Sequence, residues 1–361
     1  MPKRIIVFHT LNDFSGSPNV LSSVIRGLIA RGFIIDLYTS SLEGGNLSDI
    51  NGVVYHEIFY RFTRNRVATL LRFIFLQFRY FSISLQYIGN KDVVFYINTI
   101  LPFGAAIGAR LIRKKVIYHV HENPVKKNLL HKIAIAVFIR CAHKAIFVSE
   151  YLYNSYKFDE NRKILACNAL NPDFRRIAEN HNPVFRIPHT ILMASSLKLF
   201  KGTDIFIELA VKLPDFRFIL ILNAGDSEIR QYLKNRIIPQ NLELLPGSDN
   251  LHLFFKKTQL VVNLSIPALC VESFGLTILE GMTYGIPVIV PPAGGITELV
   301  EDGINGYKVD PLNQSSLIEK IKKIFSNEEK YFLLSSNSRQ MAKKFSYTGM
   351  IDKIESALRK L

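Results

Sequence analysis

Residues 271–291, V-E-S-F-G-L-T-I-L-E-G-M-T-Y-G-I-P-V-I-V-P, decide how this chain is read. Ser273, Phe274 and Gly275 read as a turn entering a short helix from about Leu276 to Thr283. Gly285 stops that helix, and Ile286–Val290, opened by Pro287, reads as a buried strand. A small-residue turn at a helix start presents free backbone N–H groups and the positive end of the helix dipole, which suits a phosphate. Glu280 lies about a turn and a half further in, where it can accept hydrogen bonds from sugar hydroxyls. Glu272 precedes the turn and reaches a ligand from the other side. Two carboxylates around an anion site suit a sugar nucleotide, with hydroxyls at both ends and a diphosphate between.

Strand and helix alternate on either side of this stretch, as a doubly wound parallel sheet requires. In the first half Arg4–Phe8, Ile34–Tyr38, Val93–Ile97, Lys115–His119 and Ala145–Val148 read as strands. Val20–Arg31, Phe103–Leu111 and Leu129–Cys141 read as helices. Residues 171–188 carry three prolines, are polar and lack periodicity, so they read as a linker. The alternation restarts with strand Thr190–Ala194, helix Asp204–Lys212 and strand Arg217–Leu222. Helix Ser227–Arg236, strands near Leu242–Leu244 and at Leu260–Leu264, the Glu-bearing helix and strand Val288–Val290 follow. A chain of 361 residues with 48% hydrophobic residues is long enough for two cores. The expected fold is α/β, with Rossmann-like domains over 1–170 and 189–346 facing a central cleft.

The spacing of Glu272 and Glu280 is the E-x7-E pattern, embedded in F-G-L, G-I-P-V-I and G-G-I-T-E-L-V-E-D-G-I-N-G-Y. In this setting it resembles retaining glycosyltransferases of family 4, which have the GT-B fold. The resemblance implies that Glu272 contacts the transferred sugar and that Glu280 binds the nucleotide ribose. L-K-L-F-K-G-T-D, residues 197–204, resembles the family's K-G motif and gives Lys201 the donor diphosphate. Ser196 stands where the family usually has an arginine. Either Lys198 supplies the missing charge or the diphosphate is held with one cation fewer. The chain has no D-x-D metal motif, so the resemblance implies catalysis without a metal or other cofactor, Lys201 and helix dipoles replacing the cation. D-F-S-G-S-P-N-V-L places Gly16, Ser17 and Asn19 at a helix start, as a phosphate or sugar turn or as a plain connection. Y-H-V-H-E-N-P, residues 118–124, aligns His121 with a family histidine that touches the transferred sugar, while His119 is expected to face the sheet. Zinc is a poor reading for this pair, because no third ligand lies at a convincing spacing. F-V-S-E (147–150), C-N-A-L (167–170), L-N-A-G (222–225) and L-P-G (245–247) carry the family register along nearly the whole chain. Gly225 and Gly247 are then expected to let the backbone approach the nucleotide, and Gly294, Gly295 and Glu298 close the run. Tyr347–Leu361 reads as an amphipathic helix that, by resemblance, crosses back onto the first domain.

The net charge is +15, with only 30 acidic residues. Nucleic acid, an anionic membrane and a polyanionic substrate are the three partners such a balance suggests. No zinc spacing, helix-turn-helix pattern or aromatic RNA-binding signature supports nucleic acid. From Arg61 to Tyr87 the chain carries Arg61, Arg64, Arg66, Arg72 and Arg79 among aromatic and aliphatic residues, with no Asp or Glu. Interior arginines argue against a spanning helix. The segment reads either as an interfacial membrane contact or as a core helix with a solvated basic edge. A second basic apolar stretch, Lys126–Lys144, lies in the same half. Three cysteines at irregular spacing form neither a metal cluster nor a disulfide framework and suit a reducing cytoplasm. Ile5–Phe8 is far too short an apolar run for a signal peptide.

The expectation is a metal-independent hexosyltransferase at the inner face of the cytoplasmic membrane, with Glu272, His121 and Lys201 catalytic. It takes a UDP- or GDP-linked sugar and a lipid-linked saccharide acceptor, as bacterial surface-polysaccharide or O-antigen enzymes do. Two rivals stand beside it. One is a GT-B-like protein that binds a nucleotide sugar without turnover, which Ser196 favours. The other is a two-lobed sugar-nucleotide epimerase. No G-x-G-x-x-G follows any strand, which argues against an oxidoreductase.

Overall fold

The computed structural model describes residues 4–41, 44–61, 63, 65–125, 128–180, 186–234, 236–247 and 250–361. Phe62, Arg64 and Lys126 of the basic stretches, Asn235, and residues 181–185 of the expected linker lie outside the described residues. The chain divides into two compact units, one comprising Met1–Ala169 with Tyr347–Leu361 and the other Leu170–Ser346.

In the first unit the elements are β1 (Arg4–Phe8), α1 (Gly16–Ala30), β2 (Ile34–Thr39), β3 (Val53–Glu57), α2 (Arg66–Leu85) and β4 (Val93–Asn98). They continue as α3 (Phe103–Leu111), β5 (Lys115–Val120), α4 (Leu129–Cys141), β6 (Lys144–Phe147), α5 (Glu150–Ser155) and β7 (Lys163–Leu165). The seven strands pair in parallel in the order β3-β2-β1-β4-β5-β6-β7. β4 is buried along its whole length, as expected of a parallel strand covered on both faces. α1 begins four residues earlier than expected, capped by Ser15, because Pro18 is tolerated in a first turn whose N–H groups have no helical partner.

α2 begins at Asn65, whose side chain accepts from the amides of Val67 (2.9 Å) and Ala68 (3.2 Å). It packs directly on α3 through two glycines. A Cβ on Gly104 would lie 2.1 Å from the Gln77 carbonyl oxygen, and one on Gly108 would lie 2.8 Å from that of Phe81. Two hydrogen bonds cross this contact: Gly104 N–H donates to Gln77 Oε1 (2.9 Å) and Ser84 Oγ to the Ala105 carbonyl (3.1 Å).

The second unit contains α6 (Pro172–Glu179), β8 (Thr190–Ser196), α7 (Thr203–Lys212), β9 (Arg217–Asn223), α8 (Asp226–Leu233), β10 (Leu242–Pro246) and α9 (His252–Phe255). These lead to β11 (Leu260–Val262), α10 (Leu276–Thr283), β12 (Val288–Val290), β13 (Gly306–Lys308), α11 (Gln314–Phe325) and α12 (Glu328–Lys343). Its parallel order, β10-β9-β8-β11-β12-β13, repeats the plan of the first unit. The linker reading of 171–188 is corrected in part: Asn171 caps α6 by accepting from Asp173 N (2.8 Å), with Pro172 at its first position. β11 stops two residues short of expectation because Ser265 N–H turns back onto Asn263 Oδ1 (3.0 Å).

The last helix, α13 (Tyr347–Arg359), belongs to the first unit. Tyr347 donates to the Ser23 carbonyl (2.9 Å), Ile351 packs where Gly27 leaves room, and Arg31 pairs with Asp352 and with Glu355 (2.6 Å). Both sheets are parallel and flanked by helices, the two Rossmann-like domains the sequence leads one to expect.

The α2–α3 contact makes a stability test possible. Gly104→Ala forces a methyl into the Gln77 backbone and should cost about 1–3 kcal/mol, seen as a lower thermal midpoint. Gly89→Ala, whose Cβ meets nothing within 4 Å, should leave the midpoint unchanged or slightly raised. Equal midpoints for the two variants would show that α2 is not seated on α3 in this way.

Candidate active site

Parallel sheets of this order open a crevice beyond the strand ends where the strand order reverses, between β1 and β4 and between β8 and β11. In the second unit the chain leaves β8 at Ser196, makes a single 3₁₀ turn over Leu199–Lys201 and passes through Gly202. Gly202 has φ +75°, and a Cβ there would lie 2.2 Å from the Leu264 carbonyl oxygen. Only glycine fits, and Ile266 N–H then closes onto the Phe200 carbonyl (2.8 Å). This packing brings Lys201 Nζ to 2.5 Å from Glu272 Oε1. The same oxygen accepts from Ser265 Oγ (2.6 Å) and Asn263 Nδ2 (3.3 Å). Behind it, Gly294 (φ +91°) passes so close that a Cβ would lie 2.3 Å from the Glu272 carbonyl, which accepts from Gly295 N–H (2.9 Å). Burial alone raises the Glu272 pKa, but the charge of Lys201 and the three donors outweigh it and hold the carboxyl below its usual range. Glu272 is therefore a carboxylate at neutral pH.

Glu280 is in the opposite state. It sits on α10, is buried, and has its pKa raised to about 8 by that burial. No described side chain donates to it. A buried carboxyl without a partner is costly, and such a group is a candidate for a ligand's hydroxyls. Gly275, at φ +124°, precedes the first helical residue, Leu276, so the Ser273–Leu276 turn leads the α10 amides as the sequence suggested. The Phe274 side chain is buried and packs edge-on against Phe345, 5.4 Å between centroids.

The remaining candidates of this unit are peripheral to the pair. Ser196 is half-buried, and Lys198 is exposed with Nζ 5.9 Å from the Phe200 ring centroid, the same distance as Lys201 Nζ. Gly225 caps α8, but its amide donates to Glu228 Oε2 (3.1 Å), and Asp226 adds a second acid to that first turn. The two acids of that first turn complement the helix dipole. Gly247 follows β10, and a Cβ there would lie 3.4 Å from Asn223 Cα.

The crevice of the first unit holds a second polar cluster. The Asn98 side chain ends β4 and bridges His9 Nδ1 and His121 Nε2, 3.0 Å each, and lies 3.5 Å from the Ser17 carbonyl. Asn98 thus gathers His121 and the Gly16–Ser17 turn. An amide oxygen can only accept, so His121 carries its proton on Nε2 and keeps the Nδ1 lone pair free for a hydroxyl. Burial lowers all three histidines: His9 to about 4, His119 to about 3 and His121 well below the usual value. His119 accepts from or donates to Tyr96 OH (2.8 Å), and its ring lies 4.4 Å from that of His121, tilted by 50°. Beside them Thr99 has φ +70°, a strained conformation for a β-branched residue. It is held by its N–H to the His119 carbonyl (2.9 Å), and the next amide, Ile100, donates to both Glu122 oxygens (3.2 Å each). Burial raises Glu122 to about 7.

Asn263, Ser265, His9, Asn98 and Thr99 were not singled out from the sequence. All but Thr99 carry one visible signal, a polar side chain directly ending a buried apolar run. The strain at Thr99 has none.

The family model described as Glycosyl transferases group 1 matches residues 177–341. An uncharacterized glycosyltransferase of Methanocaldococcus jannaschii is 34% identical over 212 residues, 56% of each chain. The lipopolysaccharide 1,2-N-acetylglucosaminetransferase of Salmonella typhimurium is 27% identical over 112 residues, 31% of this chain and 29% of that one. The chain thus spans less than two thirds of either relative. Among solved structures, Anabaena HepE in complex with UDP and glucose superposes with a TM-score of 0.79, at 19% identity and over all of both chains. Residues 177–341, most of the second unit, thus match the group 1 glycosyl transferase model, and the fold of the chain is GT-B.

Proposed function

We propose that this protein is a retaining glycosyltransferase that moves a hexose-type sugar from UDP or GDP to a hydroxyl of a lipid-linked saccharide. Surface-polysaccharide assembly at the inner face of the cytoplasmic membrane is the setting this acceptor suits. The observation that carries the reading is the Lys201–Glu272 pair at the β8/β11 crevice, eight residues ahead of a buried Glu280 to which no described side chain donates. Its neighbours bear on substrate class: HepE was solved with UDP and glucose, and the Salmonella relative is named for lipopolysaccharide.

In this reading the α10 amides and Lys201 hold the donor diphosphate, and Glu280 takes the ribose hydroxyls. The bond from the anomeric carbon to the diphosphate breaks, and the acceptor oxygen bonds on the same face. The acceptor proton passes to the departing phosphate oxygen, so no metal is needed to balance the step. Lys201 moves its charge from Glu272 towards the leaving diphosphate, and the freed carboxylate stabilises positive charge at the anomeric carbon. In the first unit, His121 and the Gly16–Ser17 turn are assigned to sugar and acceptor recognition.

Lys201→Ala should lower turnover about 10²–10³-fold while changing donor affinity far less, because the leaving group gains its charge mainly in the transition state. Transfer or slow donor hydrolysis measured at saturating donor checks this. Unchanged turnover removes Lys201 from the chemistry.

Glu280 makes nucleotide binding depend on pH. Free protein holds it protonated below about 8, whereas ribose hydroxyls donate best to the ionised form. Binding then lowers its pKa and releases a proton, so UDP affinity should rise as pH climbs from 6.5 towards about 8 and level off above. Calorimetry across this range, compared with Glu280→Gln, isolates the effect. Parallel pH profiles for the two proteins would place the ribose elsewhere.

A further inference from the structure

We infer that the outward face of α2 is the surface by which this protein docks on an anionic bilayer. The inference deepens the lipid-linked acceptor reading and rests on it for its biological sense. α2 is two-sided. Leu76, Gln77, Tyr80 and Ser84 are buried, seated on the glycines of α3. On the other side Val67, Leu70, Leu71, Ile74, Phe75 and Phe78 fall within roughly 140° of arc at 100° per residue. All six are exposed, Phe75 and Phe78 by 65% each. Arg72 and Arg79 follow along one edge of this stripe, and no acidic residue occurs between Arg66 and Leu85. α3 packs on α2 and α4 on α3, and they add exposed Leu111, Leu129 and Ile133.

An apolar stripe of this width has no reason to face water, since exposed patches of this kind mark interaction sites. The question is what covers it. An apolar partner surface alone would leave the arginines without counter-charge, and a nucleic acid would leave the phenylalanines and leucines without apolar contact. An anionic bilayer satisfies both, with rings and aliphatic chains at the acyl boundary and guanidinium groups among lipid phosphates. No described helix is long and apolar enough to cross a membrane, so the contact lies in the interface plane.

The chain contains no tryptophan, so Phe78→Trp supplies a single fluorophore on the stripe. Phe332→Trp, equally exposed on α12, is the control. On phosphatidylglycerol vesicles, emission from Phe78→Trp should shift to the blue and be quenched by bromine-labelled acyl chains, while the Phe332→Trp control does not respond. Arg72→Gln with Arg79→Gln should lower partitioning roughly 30-fold, at about 1 kcal/mol per basic residue near such a surface. Half-molar salt should act in the same direction. The proposal is overturned if Phe78→Trp gives no shift, or if phosphatidylcholine vesicles bind as well as anionic ones. It is equally overturned if Phe78→Trp emission shifts with protein concentration alone, which would make a second copy of the chain the occupant. The single-tryptophan readout does not depend on how the arginine variant folds, and neither measurement uses nucleotide or acceptor. Lost vesicle binding with intact donor hydrolysis defeats the docking face alone. Intact vesicle binding without donor turnover defeats the transferase reading alone.

Discussion

In each sheet the strand order reverses at one place, so successive crossovers leave neighbouring strands in opposite directions and open a crevice between them. The polar ends of the two central strands would be unsatisfied there unless side chains reached across. In the first unit Asn98 does so, joining the ends of β1 and β4 through His9. In the second, Lys201 comes from the end of β8 and Glu272 from beyond β11. The same topological necessity thus collects the chemistry of both units, and the surrounding glycines, loops and strained turns keep these bridges in place.

Two carboxylates eight residues apart are held in opposite protonation states by their surroundings alone. Glu272 is kept ionised because a lysine and two further donors outweigh its burial, and Glu280 is neutralised because burial acts on it unopposed. The Lys201–Glu272 pair is weak evidence for stability, since desolvating two charges costs about what their attraction returns. Its value lies in readiness: an ammonium already aimed at the crevice, with Ser265 and Asn263 able to hold Glu272 if the lysine moves away.

The sequence made the sheets readable because their strands are unbroken apolar runs such as Ile5–Phe8 and Val93–Ile97, which parallel pairing requires. β7 and β13 were missed because they are three residues long and outside any longer run of large apolar residues, and β3 because it is a half-exposed sheet edge. α6 was missed because three prolines outweighed one good cap at Asn171. Lys201, Glu272 and Glu280 were legible from motif spacing, and Gly202 and Gly294 matter for the close approaches that fix them. The packing of Phe274 on Phe345 was not legible, because the partner lies 71 positions away in the sequence. Arg61–Tyr87 was left open between an interfacial membrane contact and a core helix with a solvated edge; the helix it contains, Arg66–Leu85, has one buried face and one exposed apolar and basic face. No pattern of letters could reveal the φ of Thr99, which arises only when β4 and β5 are side by side.

The return of α13 to the first unit has a consequence for how the chain acquires its structure. Arg31 finds Asp352 only 321 positions further along the chain, and the entire second unit lies within that interval. The second unit is contiguous in sequence and can assemble as it is synthesised. The first unit must leave Gly27 and Arg31 uncovered until residues 347–361 have emerged. Contacts of such long sequence separation are slow to form. During synthesis the incomplete partner is therefore the earlier-made half, and its uncovered α1 face is where a chaperone has most to protect.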